Sequence, residues 1–353
     1  MGKGDRFGLD GRTWRWLAEE ALPGVGITGV SPLKGGSTNE MLLLTTLTTV
    51  TGRNETYERC ERYVLRRHRP SETRTRRNTC AVEAALLRRV AATVPVADLV
   101  ATDPYGHATG VPLLLYRHVE GVPLDALLAR GPGAADAAEL GVAVGETLAR
   151  ISLVEVTGPG HFHDGTLTPA GRASDTELLP FVERCLDSAR PGCPLTAADA
   201  DALRGLAART AHHVAAVRGH DRLVHHDFNP KNVLVSQENG RWRVGAVLDW
   251  EQAFSGSPLY DVGNMLRFAH LYPPKFADGF VAGCRNGDGN GNGNGDDHGD
   301  GLLPPGWRAL SRALDLFTLA DILTAPPDEA YFLRARDALH RHLAEEFGPA
   351  IDN

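Results

Sequence analysis

The sequence predicts an α+β chain in two lobes, a small β-rich one followed by a larger, mainly helical one. Three observations predict it. Short segments of strand composition, Leu42 to Val50, Tyr63-Val-Leu-Arg66 and an apolar run from Val111 to Val119, surround one helical pattern early in the chain. From Ala134 onward long helical patterns take over. The character of the chain changes near residues 119 to 123, so the lobes are expected at 1–118 and 119–353.

In the first lobe, Cys80 to Val90 sets Val82, Ala85, Leu86 and Arg89 at helical spacing. Val94-Pro-Val then returns the chain to extended backbone, because the residue before a proline avoids the α region. In the second lobe, helices are expected at Ala134 to Leu153, Thr196 to Val217, Pro305 to Thr324 and Pro327 to Phe347. Thr196 and Asp328, residue types that cap helix starts, stand near two of those beginnings. One β-rich island interrupts the helices. Val233-Leu-Val235 and Trp242 to Leu248 flank Gln237-Glu-Asn-Gly-Arg241, which reads as a hairpin turning on Asn-Gly.

Composition narrows the function classes. Over 353 residues, 42% hydrophobic and 23% charged content excludes wholesale disorder, collagen-like repeats and coiled coil. With 37 Lys+Arg against 44 Asp+Glu, the formal net charge of -7 gives no overall positive field for nucleic acid or an anionic membrane. Cys60, Cys80, Cys185, Cys193 and Cys284 are scattered without a C-x-x-C spacing, so neither a disulfide framework nor a zinc site is expected, and a reducing cytoplasm is. No apolar run suits a signal peptide or a membrane span. Residues 286–301, rich in Gly, Asn and Asp, fail as a calcium loop: the twelfth position from Asp288 is Gly299 rather than Glu. They are expected to be a disordered surface insertion. His161-x-His163 supplies two imidazoles without a third ligand nearby and is read as a loop.

The chemistry concentrates in Leu223-Val-His-His-Asp-Phe-Asn-Pro-Lys-Asn-Val-Leu-Val235, followed by Val247-Leu-Asp-Trp-Glu251. His225-x-Asp227-x4-Asn232 sits in a loop that opens into a strand, and Asp249 ends the next strand of the hairpin. Such a hairpin can bring an amide and a carboxylate to one metal while a second carboxylate reaches a hydroxyl, the arrangement phosphoryl transfer needs. Mg²⁺ takes hard oxygen ligands and fills its shell with phosphate and water, so Asn232 and Asp249 would suffice.

On these residues the chain resembles the aminoglycoside phosphotransferase and choline kinase-like family, small-molecule kinases with the bilobal protein-kinase fold, over about Leu33 to Asp261. The resemblance implies that Asp227 is the catalytic base and that Asn232 and Asp249 hold Mg²⁺. It implies that Asp261, in Gly256-Ser-Pro-Leu-Tyr-Asp261, braces the catalytic loop from below and that His225 orients it; His226 is read as an ordinary loop residue. For the donor, Gly35, Gly36, Ser37, Thr38 and Asn39 are expected to approach the phosphates, since glycines allow close backbone contact. Arg66 stands where protein kinases carry the phosphate-binding lysine, with Glu83 as its ion-pair partner. Leu113-Leu-Leu-Tyr-Arg-His-Val119 corresponds to the hinge, where backbone around Arg117 to Val119 would meet the purine. Tyr116 falls at the gatekeeper position, which favours GTP over ATP. Trp250 and Glu251 are expected to border the acceptor pocket.

The expected activity is transfer of the γ-phosphoryl of ATP or GTP to a hydroxyl of an antibiotic. The rivals are a kinase of choline, homoserine, a sugar or another primary metabolite, and an inactive kinase-like nucleotide-binding protein. The basic run from Arg66 to Arg77 lacks the interleaved aromatics of a nucleic-acid surface and is read as a solvated loop near the phosphates.

Overall fold

In the computed structural model the described residues are 8–33, 39–51, 56–68, 79–169, 177–286, 302–326 and 328–346. The insertion at 286–301 lies outside them apart from Asn286, as do Gly35, Gly36, Ser37, Thr38 and the distal part of the basic run. The chain forms two compact units. The first comprises Met1–Gly121, Phe162–Thr168 and Gly245–Gln252; the second comprises Val122–His161, Pro169–Val244 and Ala253–Asn353.

The first unit is built on an antiparallel sheet. Helix α1 (Gly11–Trp16) precedes β1 (Gly26–Pro32), β2 (Glu40–Thr51) and β3 (Thr56–Arg67); α2 (Cys80–Val90), β4 (Leu99–Asp103) and β5 (Leu113–Arg117) follow. The sheet order is β1-β2-β3-β5-β4, antiparallel throughout. The two-residue period of a strand sorts its side chains. Tyr63 and Leu65 of β3 and Leu113 and Leu115 of β5 join Leu9, Trp16 and Leu17 in one buried cluster. The alternate positions, Arg66 on β3 and Tyr116 on β5, therefore turn to the opposite face, where both reach Glu83 of α2. Strand β3 runs well beyond the expected Tyr63 to Arg66, because β2 supplies it with partners from Thr51 back to Glu40.

The second unit is mainly helical. Its elements are β6 (Val122–Pro123), α3 (Leu124–Ala129), α4 (Ala134–Ser152), α5 (Leu178–Asp187), α6 (Ala197–Ala216), β7 (Arg222–Val224), β8 (Val233–Glu238), β9 (Arg241–Val247), β10 (Phe254–Gly256), α7 (Leu259–Leu266), α8 (Pro274–Asn286), α9 (Trp307–Thr324) and α10 (Glu329–Glu346). Residues of β9 from Gly245 on belong to the first unit. Thr196 caps α6 in a reciprocal capping box with Asp199. Asp328 accepts the Tyr331 N–H at 2.7 Å at the start of α10. The turn between β8 and β9 is Asn239-Gly240, both with positive φ (52° and 76°), as the tight hairpin turn requires. Helices α3, α5, α7 and α8 are additional to those expected. Helix α8 meets α4 at Gly141, Gly145, Gly279 and Gly283, and a Cβ on Gly145 would collide with the Phe280 carbonyl and come within 2.7 Å of the Cys284 nitrogen. Glycine, the weakest helix former after proline, is kept here for backbone contact, which hides the helix from propensity.

Candidate active site

Two clusters hold the residues singled out in the sequence, one in each unit. The first is centred on Arg66, buried at 5% exposure. Its Nη1 donates to Glu83 Oε1 at 2.8 Å, and its Nη2 donates to Asp249 Oδ1 at 2.9 Å and Glu251 Oε2 at 2.7 Å. One guanidinium thus serves three carboxylates, which its planar fork of donors permits and a lysine ammonium would not match. Burial alone would lower the Arg66 pKa, but Glu83, Tyr116, Asp249 and Glu251 together hold it well above the usual value. Burial would likewise raise the Glu83 pKa; Arg66, then His68 and the Tyr116 hydroxyl, outweigh it and keep the carboxyl below its usual range. The Tyr116 hydroxyl donates to Glu83 Oε1 at 3.1 Å, and His68 Nε2 lies 3.2 Å from Glu83 Oε2.

Asn39, the first described residue after the glycine-rich segment, is buried and donates from Nδ2 to Glu251 Oε2 at 3.0 Å. Glu251 and Trp250 are both buried, and the Trp250 indole N–H donates to the Val247 carbonyl at 3.1 Å. Their side chains are therefore engaged internally, Glu251 with Asn39 and Arg66. At the end of β5 the Arg117 N–H donates to Asp98 O at 2.8 Å and the His118 N–H to Arg62 O at 2.9 Å, so of the three hinge positions only Val119 has its N–H outside these bonds. The Arg117 side chain pairs with Glu61. Asp249 adopts φ 64°, a left-handed conformation unusual for a residue with a Cβ.

The second cluster is the loop between β7 and β8. Strand β7 pairs antiparallel with β10, which fixes the chain entering the loop beside the chain entering α7. Asp261, in the first turn of α7 and fully buried, accepts the N–H groups of His225 and His226, each at 2.7 Å. Burial drives its pKa up to about 7; the two N–H groups pull the other way, and the Asp227 charge adds to the rise. His225 is fully buried, and its Nδ1 accepts the Asp227 N–H at 3.2 Å. His226 has φ 65°, and its ring packs edge-on against Phe254 and Tyr260 at centroid distances of 5.0 and 5.4 Å. Left-handed backbone at a bulky residue persists only where its surroundings over-determine it, and such positions gather at functional sites.

The Asp227 carboxylate sits between two amides. Asn229 Nδ2 donates to Oδ1 at 2.6 Å and Asn232 Nδ2 to Oδ2 at 2.7 Å, with a second bond from Asn232 to the Asp227 carbonyl at 2.9 Å. Each carboxylate oxygen retains acceptor capacity for a further proton. Asn229 was not singled out in the sequence, although its place two residues after an acid in an Asn-Pro turn is a signal for local side-chain bonding. Taken singly, each of the two residues expected to hold a metal offers a hard oxygen. Asn232 spends its nitrogen on Asp227 and so presents Oδ1 as its free type of atom, and Asp249 is a carboxylate. Among the described residues no group of three or more His, Cys, Asp or Glu could hold a metal. No helix among the described residues is long and apolar enough to cross a membrane.

No curated protein matches the sequence. Among solved structures, a thermostable mutant of aminoglycoside phosphotransferase APH(4)-Ia, in a ternary complex with AMP-PNP and hygromycin B, aligns with a TM-score of 0.60 at 17% identity, covering 92% of this chain and 96% of that one. The GDP and kanamycin complex of APH(2")-IIia gives 0.62 at 16% identity over 95% and 99% of the two chains. The GDP complex of wild-type aminoglycoside 2'-phosphotransferase-IIIa gives 0.62 at 17% over 95% and 98%. Likeness at such identities carries the fold, a kinase-like sheet unit and helical unit. The sequence itself carries more: the model of the phosphotransferase enzyme family matches residues 30–291, a span that takes in Arg66, Glu83, the Asp227 loop, Asp249 and Asp261, and the chain belongs to that family.

Proposed function

We propose that this phosphotransferase moves the γ-phosphoryl of ATP or GTP to a hydroxyl of a small molecule, and that the acceptor is an antibiotic. The observation that carries the reading is the Asp227 carboxylate held between Asn229 and Asn232, in a loop whose backbone is pinned by Asp261. A carboxylate so held is oriented without being neutralised, which suits a residue that must take a proton at one fixed place.

Asp227 accepts the hydroxyl proton as the acceptor oxygen forms its bond to the γ-phosphorus. The bond from that phosphorus to the bridging oxygen breaks, and the nucleoside diphosphate leaves with the electron pair. Arg66, charged at any working pH, supplies guanidinium donors to the phosphates; its Nε is buried with no partner among the described residues. Asn39 is linked to Arg66 through Glu251; the donor role proposed for Gly35, Gly36, Ser37 and Thr38 rests on the sequence alone. Asn232 and Asp249 are the residues proposed to hold Mg²⁺, assigned from their order in the motif and their oxygen chemistry. When bound with the nucleotide, Mg²⁺ offsets phosphate charge. The purine edge falls to the backbone at Val119, and Tyr116, fixed by Glu83, is the proposed gatekeeper behind a preference for GTP.

The antibiotic reading draws on the aminoglycosides, hygromycin B and kanamycin, bound in the structures of similar fold. The test is nucleotide consumption with Mg²⁺ and either ATP or GTP across a panel of hydroxylated antibiotics and primary metabolites. Turnover that depends on an antibiotic supports the reading; turnover with choline, homoserine or a sugar alone replaces its acceptor, and a strong ATP preference removes the role given to Tyr116.

A further inference from the structure

The catalytic loop has a second clamp that its motif does not contain. His226 is left-handed, so the peptide group that follows it, and leads into Asp227, has no helix or strand to hold it. The N–H of His226 itself goes to Asp261. Its carbonyl accepts from Asn264 Nδ2 at 2.8 Å. Asn264 lies three residues after Asp261 on α7, one turn along the same face, and is buried at 3% exposure. The two side chains therefore hold the two sides of one residue's backbone.

Asn264 is itself oriented. Its Oδ1 accepts from Arg267 Nη2, and Thr318 Oγ1 of α9 stands 3.4 Å away. Arg267 is buried at 5% exposure and paired with Asp315 of α9, its Nε lying 3.0 and 3.1 Å from the two carboxylate oxygens. An asparagine amide can be flipped with little steric cost, and a positive donor on one side is what removes the choice. With Oδ1 committed to Arg267, Nδ2 must face the loop. Arg267 also feels the charge of Asp227, as does Tyr331 of α10, so the network lies close to the base.

The geometry points to Asn264 as a positioning residue: it fixes the peptide between His226 and Asp227, and the Arg267–Asp315 pair sets its orientation. The inference rests on Asp227 acting as the base, but it concerns a residue outside the motif. A buried asparagine could serve only to satisfy Arg267, and the substitution must separate the two roles. Asn264→Asp does so, because its carboxylate still accepts from Arg267 and cannot, when ionised, donate to the His226 carbonyl.

The experiment compares wild type and Asn264→Asp by nucleotide turnover per nucleotide-binding site and by hydrogen exchange of the loop. Acceptor-independent nucleotide hydrolysis serves where no acceptor has been identified. Turnover is expected to fall about 10- to 100-fold, as a base displaced by around an ångström loses alignment, with the nucleotide KM within about two-fold of wild type. Exchange of the His226 and Asp227 amides should rise while the amides of α9 stay protected. Asn264→Asp with wild-type turnover per site and unchanged loop exchange overturns the inference. So does a loss of stability with no change of turnover per folded site, which is what satisfying Arg267 alone would give. Where no turnover can be measured, the loop exchange decides by itself. Full activity in Asp227→Asn would instead remove the base assignment and leave the clamp as a structural fact, so the two failures are distinguishable.

Discussion

The Arg66 cluster and the Asp227 loop solve the same problem in opposite ways. In the first, charged side chains hold one another: a guanidinium between three carboxylates, on regular β3 and α2, with Asp249 and Glu251 in the chain just beyond β9. In the second, side chains hold backbone: Asp261 and Asn264 grip the peptides of an irregular loop, and the carboxylate proposed as the base is left oriented by amides. The phosphate-binding role proposed for Arg66 needs a guanidinium fixed in a dry place, which ion pairing provides. A general base needs a position and an available lone pair, which neutral amides provide without adding a counter-charge that would weaken it.

The difference has consequences that can be broken apart. The largest effect is expected from Arg66→Ala. It leaves Glu83 fully buried without the guanidinium that keeps it ionised, and breaking a buried pair on one side costs about 3–5 kcal/mol. Thermal unfolding should show the loss, and nucleotide affinity should fall with it. A smaller change in stability, of less than about 1 kcal/mol, would mean that the cluster is not held by charge.

The pH dependence of the two clusters should run in opposite directions. Glu83 titrates below its ordinary value of 4.5, so its contribution is present above that value and is lost as pH falls through the lower pKa of the folded state. Asp261 has its pKa raised from 3.8 to about 7, so the folded chain binds the extra proton between those values. Stability from Asp261 is therefore present at low pH and lost as pH rises toward 7, by up to about 4 kcal/mol. Denaturant unfolding from pH 5 to pH 8 should fall more steeply for wild type than for Asp261→Asn. Equal slopes would show that the buried acid is ionised throughout, held by its two N–H donors.

Both clusters were legible in the sequence to the extent that their residues are consecutive or share a period. His225, Asp227 and Asn232 are spaced within one loop, and Arg66 and Tyr116 were reached through the resemblance to kinases, on the strand positions that β3 and β5 occupy. The Asn-Gly turn and the Thr196 cap were legible because each residue does its work locally. What lay hidden depends on packing between distant elements. The bonds of Glu251 to Asn39 and Arg66 join residues 212 and 185 positions apart, and no local spacing announces them. Asn264 and Arg267 lie one and two turns beyond Asp261, but the spacing acquires meaning only when Asp315 of α9 packs against them. Helix α8 was obscured for a related reason, since its glycines weaken the helix locally and are repaid by the backbone of α4.

The most direct test of the account is Asp227→Asn, read as separate kcat and nucleotide-affinity measurements on the acceptor that the panel identifies. The amide keeps the shape of the carboxylate but cannot take the proton, and it can accept from only one of Asn229 and Asn232 unless one of them turns its amide over. The account predicts a fall in kcat of about 10²- to 10⁴-fold, with nucleotide affinity close to wild type. An Asp227→Asn enzyme that turns over at the wild-type rate would contradict it, and the base would have to be sought elsewhere.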